Sequence, residues 1–215
     1  MKDKNIRRLN NKPVICYTLD ILKSSRLIDA YVISSDSDKI IKVAQNYGCK
    51  VNFKRPKRLA QDKVGRIEAI RHAVKWVEND KKAEYEIIVD LGVATPLKTV
   101  QDFENCLKLL IDQGAANVFS VSLAQRNPYY NMVEIKNNKV EIVKKLSKEI
   151  TDRRDAPVVY SLNDGINAWR RSALFSKQPF FSTGTKAYVM PRERSIDIDE
   201  ELDFKIAECL SRGRK

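Results

Sequence analysis

The stretch AYVISSDSDKIIKVAQNYG, residues 30–48, decides the fold class. Its first six residues are mostly apolar and rich in β-branched side chains, a composition that predicts a strand. The remainder places Ile40, Ala44 and Tyr47 at helical spacing ahead of Gly48, which predicts a helix that ends at a glycine. A strand, a turn and a helix in direct succession are typical of an α/β protein.

The same alternation continues down the chain. CKVNF (49–53), YEIIVDLGV (85–93) and NVFSVS (117–122) predict strands, whereas VGRIEAIRHAVKWV (64–77) and TVQDFENCLKLLIDQG (99–114) predict helices. The second helix begins with Thr99 three residues ahead of Asp102, the spacing of a capping box. We therefore predict a mostly parallel sheet with helices on both faces and a ligand crevice at the carboxyl ends of its strands.

The pattern changes near residue 125. YYNMVEIKNNKVEIVKKL (129–146) and PVVYSLNDGINAW (157–169) read as short antiparallel strands joined by Lys- and Asn-rich turns, and AYVMP (187–191) as a late strand. The chain is predicted to form a single domain over 1–215 with a small antiparallel insertion at about 125–185.

Composition limits the classes of function. Forty Lys and Arg against 28 Asp and Glu give a formal charge of +12, which suggests a polyanionic partner. The basic residues lack the stripe of interleaved aromatics that single-strand binders show, so no nucleic-acid partner is expected. No apolar run reaches membrane-spanning length and no signal peptide is visible, so a cytoplasmic protein without membrane contact is expected. Four scattered cysteines and one histidine do not make a zinc site.

Acidic residues are concentrated in RERSIDIDEELDF, residues 192–204. Five carboxylates fall within residues 197–203, those of Asp197, Asp199, Glu200, Glu201 and Asp203. If SIDID is extended, both aspartates share one face and both isoleucines point into the core. Two adjacent carboxylates suit a divalent cation that substrate phosphates also bind. The alternative is that Asp199 caps a helix and Asp197 forms a salt bridge, and the spacing alone leaves both readings open.

Several motifs together resemble the acylneuraminate cytidylyltransferase family, the CMP-sialic acid synthetases. The motifs are KNIRRLNNKPVICYTL (4–19), SSDSDKIIKVAQNYGCKVNFKRPKRLAQD (34–62), TPLKTVQD (95–102) and YVMPRERSIDIDEELDF (188–204). The resemblance implies a Rossmann-like nucleotidyltransferase fold, Mg²⁺ (or Mn²⁺) as cofactor and CTP as co-substrate. It also implies transfer of CMP to a nine-carbon 2-keto sugar acid of the sialic, legionaminic or pseudaminic type, with release of pyrophosphate.

The resemblance also implies roles for particular residues. Asp197 and Asp199 match the metal-binding, catalytic aspartates. Lys4 and Asn5 match the end of the nucleotide-binding loop, and Arg55 matches an arginine associated with CTP.

Two further matches concern the sugar site and a homodimer. Asn163 matches an asparagine near the sugar acid. Arg153 matches a basic residue on an arm that a dimer partner lends to the site, which implies a homodimer with the insertion at about 125–185 as its interface.

The chain also departs from the family pattern. Relatives carry an apolar strand and a Gly-Ser-Lys-Gly type loop ahead of these motifs, and these 215 residues begin just after the expected position of that loop. Gly92, Ala94, Lys98 and Asn167 stand where other side chains are usual. Two rival functions therefore stay open: a catalytically weak homologue that binds nucleotide or a partner without turnover, and a 3-deoxy-octulosonate cytidylyltransferase.

Overall fold

The structure is a computed structural model that describes residues 1, 3–61, 65–147 and 150–213. Asp62, the last residue of the family-like stretch 34–62, lies outside the described residues. The elements in chain order are β1 (Arg8–Leu9), β2 (Lys12–Pro13), α1 (Val14–Ser24), α2 (Asp38–Asn46), α3 (Arg66–Lys81), β3 (Ile87–Leu91), α4 (Val100–Asp112), β4 (Asn117–Leu123), β5 (Val133–Lys136), β6 (Lys139–Ile142), β7 (Tyr160–Arg170), α5 (Arg171–Leu174), β8 (Thr185–Val189) and α6 (Glu201–Arg212).

The main sheet contains four strands in the order β3-β7-β4-β8. β7 is antiparallel to both β3 and β4, while β4 and β8 are parallel. Three strands therefore run in one direction, and the long β7 runs against them in the middle of the sheet. The predicted α/β class is confirmed, although most hydrogen-bonded strand pairs are antiparallel.

Helices cover both faces of this sheet. Val118 and Phe119 are neighbours in β4, so their side chains point to opposite faces. Val118 packs with α4 and with Ile21 of α1, whereas Phe119 packs with Trp169 and with α3. Thr99 and Asp102 form the predicted capping box at the start of α4. No helix in the described residues combines the length and hydropathy that a membrane span requires.

Two predicted strands do not form. Residues 30–35 and 49–53 have no regular secondary structure and no strand partner in the described part of the chain. The prediction was wrong there because a strand is defined by its hydrogen-bonded neighbour, which local composition cannot supply. Ile33 and Phe53 are nevertheless buried, so the apolar pattern was placed correctly.

A deep crevice separates residues 30–35 from the sheet. Its volume is about 1280 Å³, and its walls come from α1, α3, α4, β3 and residues 27–36. Gly92 N–H donates to Gly165 of β7, so in the antiparallel ladder the alternate residues Ile87, Val89 and Leu91 direct their peptide groups away from β7. The outer edge of β3 therefore faces the crevice without a strand neighbour among the described residues.

The region predicted as an insertion has two parts. β5 and β6 form an antiparallel hairpin that is not hydrogen-bonded to the main sheet. β7, in contrast, lies between β3 and β4 in that sheet. The interval 125–185 thus contains a central strand as well as a projecting hairpin.

Candidate active site

The SIDID segment lies as its alternation predicted. Ile198 is fully buried and packs with Ile196, Leu97 and Phe204. Asp197 and Asp199 both line the crevice. Asp197 is half-buried and Asp199 is exposed. The segment is not a strand, and it is held by a hydrogen bond from Ile198 N–H to the carbonyl of Ala94 at 2.9 Å.

A buried ion pair anchors the same segment from its amino-terminal side. The Arg194 guanidinium donates two hydrogen bonds of 2.8 Å to the carboxylate of Asp102, which is completely buried. Burial opposes the charged form of Asp102, but Arg194 and Thr99 together hold its pKa below the ordinary value. Asp102, the acidic member of the capping box of α4, therefore also fixes the segment that carries Asp197 and Asp199.

The remaining acids of this stretch have structural roles. Glu200 is the N-cap of α6 and forms a capping box with Asp203. Glu201 pairs with Arg7, with Arg7 Nη2 to Glu201 Oε1 at 2.7 Å. Asp199 is therefore not the helix cap, and the reading that made it one is wrong.

Asp197 is electrostatically unfavourable as a charged group. Burial raises the pKa of Asp197 first, and the neighbouring Asp199 raises it further. Lys4 and Arg66 lower that pKa but do not cancel the shift. A divalent cation between the two carboxylates would remove this penalty, so the donor set fits magnesium held by two carboxylates and substrate phosphates.

Lys4 and Asn5 enter the crevice from the amino-terminal turn. The Lys4 ammonium donates to Asp199 Oδ1 at 2.8 Å and to the carbonyl of Ile198 at 2.7 Å. The side-chain oxygen of Asn5 is buried and has no hydrogen-bond partner among the described residues. A buried acceptor without a partner is costly, so a donor from a bound ligand would satisfy it.

Arg55 lines the crevice at the carboxyl end of residues 30–35. Its side chain donates to Ser34 Oγ at 3.0 Å and to the Ser34 carbonyl at 2.5 Å, and its own N–H bonds to the carbonyl of Ser35 at 2.9 Å. The structure thus brings five predicted site residues into one crevice, namely Lys4, Asn5, Arg55, Asp197 and Asp199.

Two other predicted residues lie elsewhere. Asn163 is 4% exposed, and its Oδ1 accepts hydrogen bonds from Ser120 Oγ and Gly165 N–H while its amide donates to Ser195 Oγ. Asn163 does not line the crevice in this conformation, so direct contact with a sugar stays a prediction. Arg153 is exposed on a short turn outside the crevice lining, and its role in a partner's site stays a prediction too.

The one histidine is a packing residue in this structure. The ring centroids of His72 and Phe53 are 5.7 Å apart, and Phe53 also packs against Trp76. It is not among the residues that line the crevice.

Sequence reasoning missed the role of Lys98, a buried residue beneath the crevice loop. Lys98 is only 4% exposed. Its ammonium donates to Thr18 Oγ1 at 2.9 Å and to the carbonyls of Gly92 at 2.5 Å and Thr95 at 2.9 Å. Burial lowers the pKa of Lys98 to about 7, against the opposite effect of nearby carboxylates. Lys98 therefore ties the loop that receives Ile198 to helix α1.

Lys98 should make stability depend on pH. Between pH 7 and pH 9 the unfolded chain keeps this lysine protonated, whereas the folded chain, with a pKa of about 7, loses the proton. The free energy of unfolding is therefore expected to rise by about 2 kcal/mol over that interval. Urea unfolding of the wild type and of Lys98→Met at several pH values measures it; equal pH slopes in the two proteins would contradict the assignment.

Comparisons with known proteins agree with this geometry. A family profile described as Cytidylyltransferase matches residues 1–207. The fold and the crevice define a nucleotidyltransferase-type α/β protein, and the chain belongs to this cytidylyltransferase family.

The chain is similar to CMP-N,N′-diacetyllegionaminic acid synthase of Campylobacter jejuni, with 38% identity over 98% of the chain and 88% of the relative. It is 34% identical to post-translational flagellin modification protein B of Campylobacter coli over the same shares. A solved CMP:2-keto-3-deoxy-manno-octonic acid synthetase complexed with CTP shares the fold, with a TM-score of 0.69 at 13% identity over 99% of this chain and 92% of that one.

Proposed function

We propose that this chain transfers the cytidylyl group of CTP to a nonulosonic sugar acid and releases pyrophosphate. The observation that supports the proposal best is the convergence of two carboxylates with Lys4, Asn5 and Arg55 in a single crevice. Cation ligands beside phosphate-binding bases are what a triphosphate site needs. The relatives named above support a nonulosonic sugar acid as the acceptor, because legionaminic acid is a nonulosonic acid.

In the proposed reaction the anomeric oxygen of the sugar acid attacks the α-phosphorus of CTP. The bond from that phosphorus to the oxygen bridging to the β-phosphate breaks, pyrophosphate leaves with the electron pair, and the proton of the anomeric hydroxyl passes to solvent. The protein's contribution is positioning and charge stabilisation, as in other phosphoryl-type transfers.

Each residue of the crevice has a defined part in this scheme. Asp197 and Asp199 would hold the magnesium ion, which when bound neutralises charge on the triphosphate. Lys4, already 2.8 Å from Asp199, lies where it can donate to a phosphate oxygen beside the same carboxylate. Asn5 offers its unpartnered oxygen to an N–H of the nucleotide, and the planar Arg55 guanidinium suits a phosphate.

The first experiment is pyrophosphate release from CTP with a panel of keto sugar acids in magnesium. Legionaminic, sialic and pseudaminic type acids are nine-carbon candidates, and 3-deoxy-octulosonate is the eight-carbon rival. Turnover of a nine-carbon acid supports the proposal, and turnover of the octulosonate alone replaces it. CTP binding with no turnover of any acid would favour the catalytically weak homologue, which the open crevice beside β3 makes a real second candidate.

We also propose that the hairpin region forms a homodimer interface. Ile135, Val140 and Val133 of β5 and β6 are 74%, 66% and 58% exposed, and Val158 nearby in sequence is 68% exposed. Large apolar side chains exposed in one region mark an interaction surface. A second copy is the occupant that the family resemblance favours, and it would bring Arg153 toward the neighbouring crevice.

Light scattering tests the dimer at micromolar concentration. The wild type is expected to be a dimer that buries more than roughly 1,000 Å². Ile135→Lys with Val140→Lys should produce a monomer, because two desolvated ammonium groups would oppose the interface. Leu202→Lys, at a 60% exposed position of α6, is the matched control and should leave the dimer intact. A monomeric wild type would refute the interface.

The same proposal places the protein in the cytoplasm, because CTP and nucleotide-sugar synthesis are found there. Fractionation of cells that express the chain tests this placement.

A further inference from the structure

A group of three charged side chains lies in the crevice outside the residues assigned above. The Arg66 guanidinium at the start of α3 contacts Asp90 of β3 with Nε to Oδ2 at 2.7 Å, and Asp164 of β7 with Nη1 to Oδ1 at 2.9 Å. All three residues line the crevice together with Asp197. We call Arg66, Asp90 and Asp164 the acid clamp.

The backbone around Asp164 is shaped to place this residue at the crevice. Asp164 has a φ of 50°, in the left-handed region that aspartate tolerates better than most residues. Its carbonyl oxygen would lie 2.0 Å from a Cβ built on Gly92, a separation that real atoms do not adopt. Gly92 is therefore required for the observed position of Asp164, and a bond from Gly92 N–H to the Gly165 carbonyl at 3.0 Å fixes the approach.

The unused hydrogen-bond acceptors of the acid clamp determine which groups it can bind. Arg66 contacts Oδ1 of Asp164, and the Asp164 side chain is 57% exposed, so its carboxylate can accept further hydrogen bonds from the crevice. Asp90 is more covered, with 25% of its side chain exposed, and anchors the guanidinium. Carboxylates repel a triphosphate but accept from hydroxyl and amide N–H donors, which are the groups that a sugar acid carries.

We propose that Asp164 selects the sugar acid by accepting hydrogen bonds from its hydroxyl or acylamino groups. Arg66 holds the Asp164 carboxylate, and the absence of a Cβ at Gly92 leaves room for the Asp164 backbone. The inference rests on the proposed function and deepens it, since it assigns the specificity of that crevice to named residues. Asp164 is a substrate-binding residue in this scheme, and Arg66 and Gly92 are positioning residues that act through it.

Asp164→Asn is the decisive variant because asparagine also tolerates the left-handed backbone and keeps the side-chain shape. It replaces one carboxylate oxygen by an NH₂ donor, so a sugar donor would lose its acceptor. Binding of N-acetylneuraminic acid and of N,N′-diacetyllegionaminic acid is measured by calorimetry, which needs no turnover. We expect the better-bound acid to lose affinity at least about tenfold, as loss of a hydrogen bond to a charged group implies, while CTP affinity and the thermal midpoint stay near wild type.

Two companion variants separate this role from simple packing. Glu84→Gln makes the same chemical change outside the crevice lining, where Glu84 pairs with Arg171, and should leave sugar binding unchanged. Gly92→Ala forces the Asp164 carbonyl to move and should weaken sugar binding as Asp164→Asn does.

Equal sugar affinity in Asp164→Asn and wild type would overturn the inference. So would a loss of CTP affinity in Asp164→Asn as large as its loss of sugar affinity, and so would a wild-type protein that binds neither acid. Pyrophosphate release by the wild type is scored separately. Turnover that survives with unchanged sugar affinity in Asp164→Asn refutes the clamp alone, whereas absence of turnover with every acid of the panel speaks against the proposed function.

Discussion

Asp197→Ala is expected to lower turnover by two orders of magnitude or more while the midpoint of thermal unfolding stays unchanged or rises. Loss of activity follows because the cation beside the triphosphate would keep only Asp199 as a protein ligand. The stability effect has the opposite sign to that of most half-buried substitutions. Burial and Asp199 raise the pKa of Asp197, so its charged form costs stability at pH values above that pKa, and alanine removes this cost.

A matched control comes from the same acidic stretch. Glu201→Gln removes a carboxylate that pairs with Arg7 on the surface and does not line the crevice. Its turnover should stay within about twofold of wild type, since exposed ion pairs contribute little. The measurement is initial-rate pyrophosphate release in magnesium, combined with thermal unfolding of each variant. Full activity of Asp197→Ala would remove Asp197 from the site.

The sequence predicted the carboxylate pair because its signal is local. Alternation of Ile196 and Ile198 with two aspartates determines which side chains enter the core, whatever the rest of the fold does. Capping at Thr99 and the helix over residues 66–81 were predictable for the same reason, since caps and helical periodicity depend on residues within a few positions.

Features that depend on distant neighbours could not be predicted in this way. Residues 30–35 have strand composition, yet strand pairing depends on what lies beside them. Arg66, Asp90 and Asp164 come from three separate elements, so no spacing in the sequence indicates that they meet. Lys98 carries no local sign of burial, because only the folded chain surrounds its ammonium with three oxygen acceptors.

The apolar part of the crevice, beside β3, has room for one more strand. A strand of about six residues fills a slab roughly 20 Å long, 5 Å wide and 10 Å thick, close to 1,000 Å³. The crevice measures about 1280 Å³ and is lined largely by apolar side chains from α1, α3 and α4. The peptide groups of Ile87, Val89 and Leu91 supply hydrogen-bonding partners along one side, and residues 30–35 also line the crevice.

The amino terminus lies at one end of this crevice. Lys4 and Asn5 belong to its lining, and Asp3 pairs with Lys39 at the start of α2. β3 runs toward Asp90, which pairs with Arg66, and both Arg66 and Lys4 lower the pKa of Asp197, so β3 ends near Lys4. A strand fused ahead of Met1 that occupied the crevice would therefore run parallel to β3, as neighbouring strands do in a doubly wound sheet.

Fusing an apolar, β-branched strand and a glycine-rich loop ahead of Met1 is accordingly expected to raise both the thermal midpoint and the affinity for CTP. The strand would satisfy the open edge of β3, and the loop would add oriented N–H donors for a triphosphate of about four negative charges. Each hydrogen bond to a charged group contributes roughly 1.5–3 kcal/mol, so two of them raise affinity at least about a hundredfold. Calorimetric titration of CTP with magnesium compares the two forms.

A second fusion provides the control: the same loop preceded by a segment with Lys and Pro at alternate positions, which cannot enter an apolar crevice or complete the ladder. It should leave the thermal midpoint unchanged, because the stabilisation is assigned to the strand and not to added length. A gain in CTP affinity with no gain in midpoint would attribute the effect to the loop alone. Micromolar CTP binding by residues 1–215 without any fusion would show that Lys4, Asn5 and Arg55 suffice for the triphosphate, and the expected dependence on an added strand would be wrong.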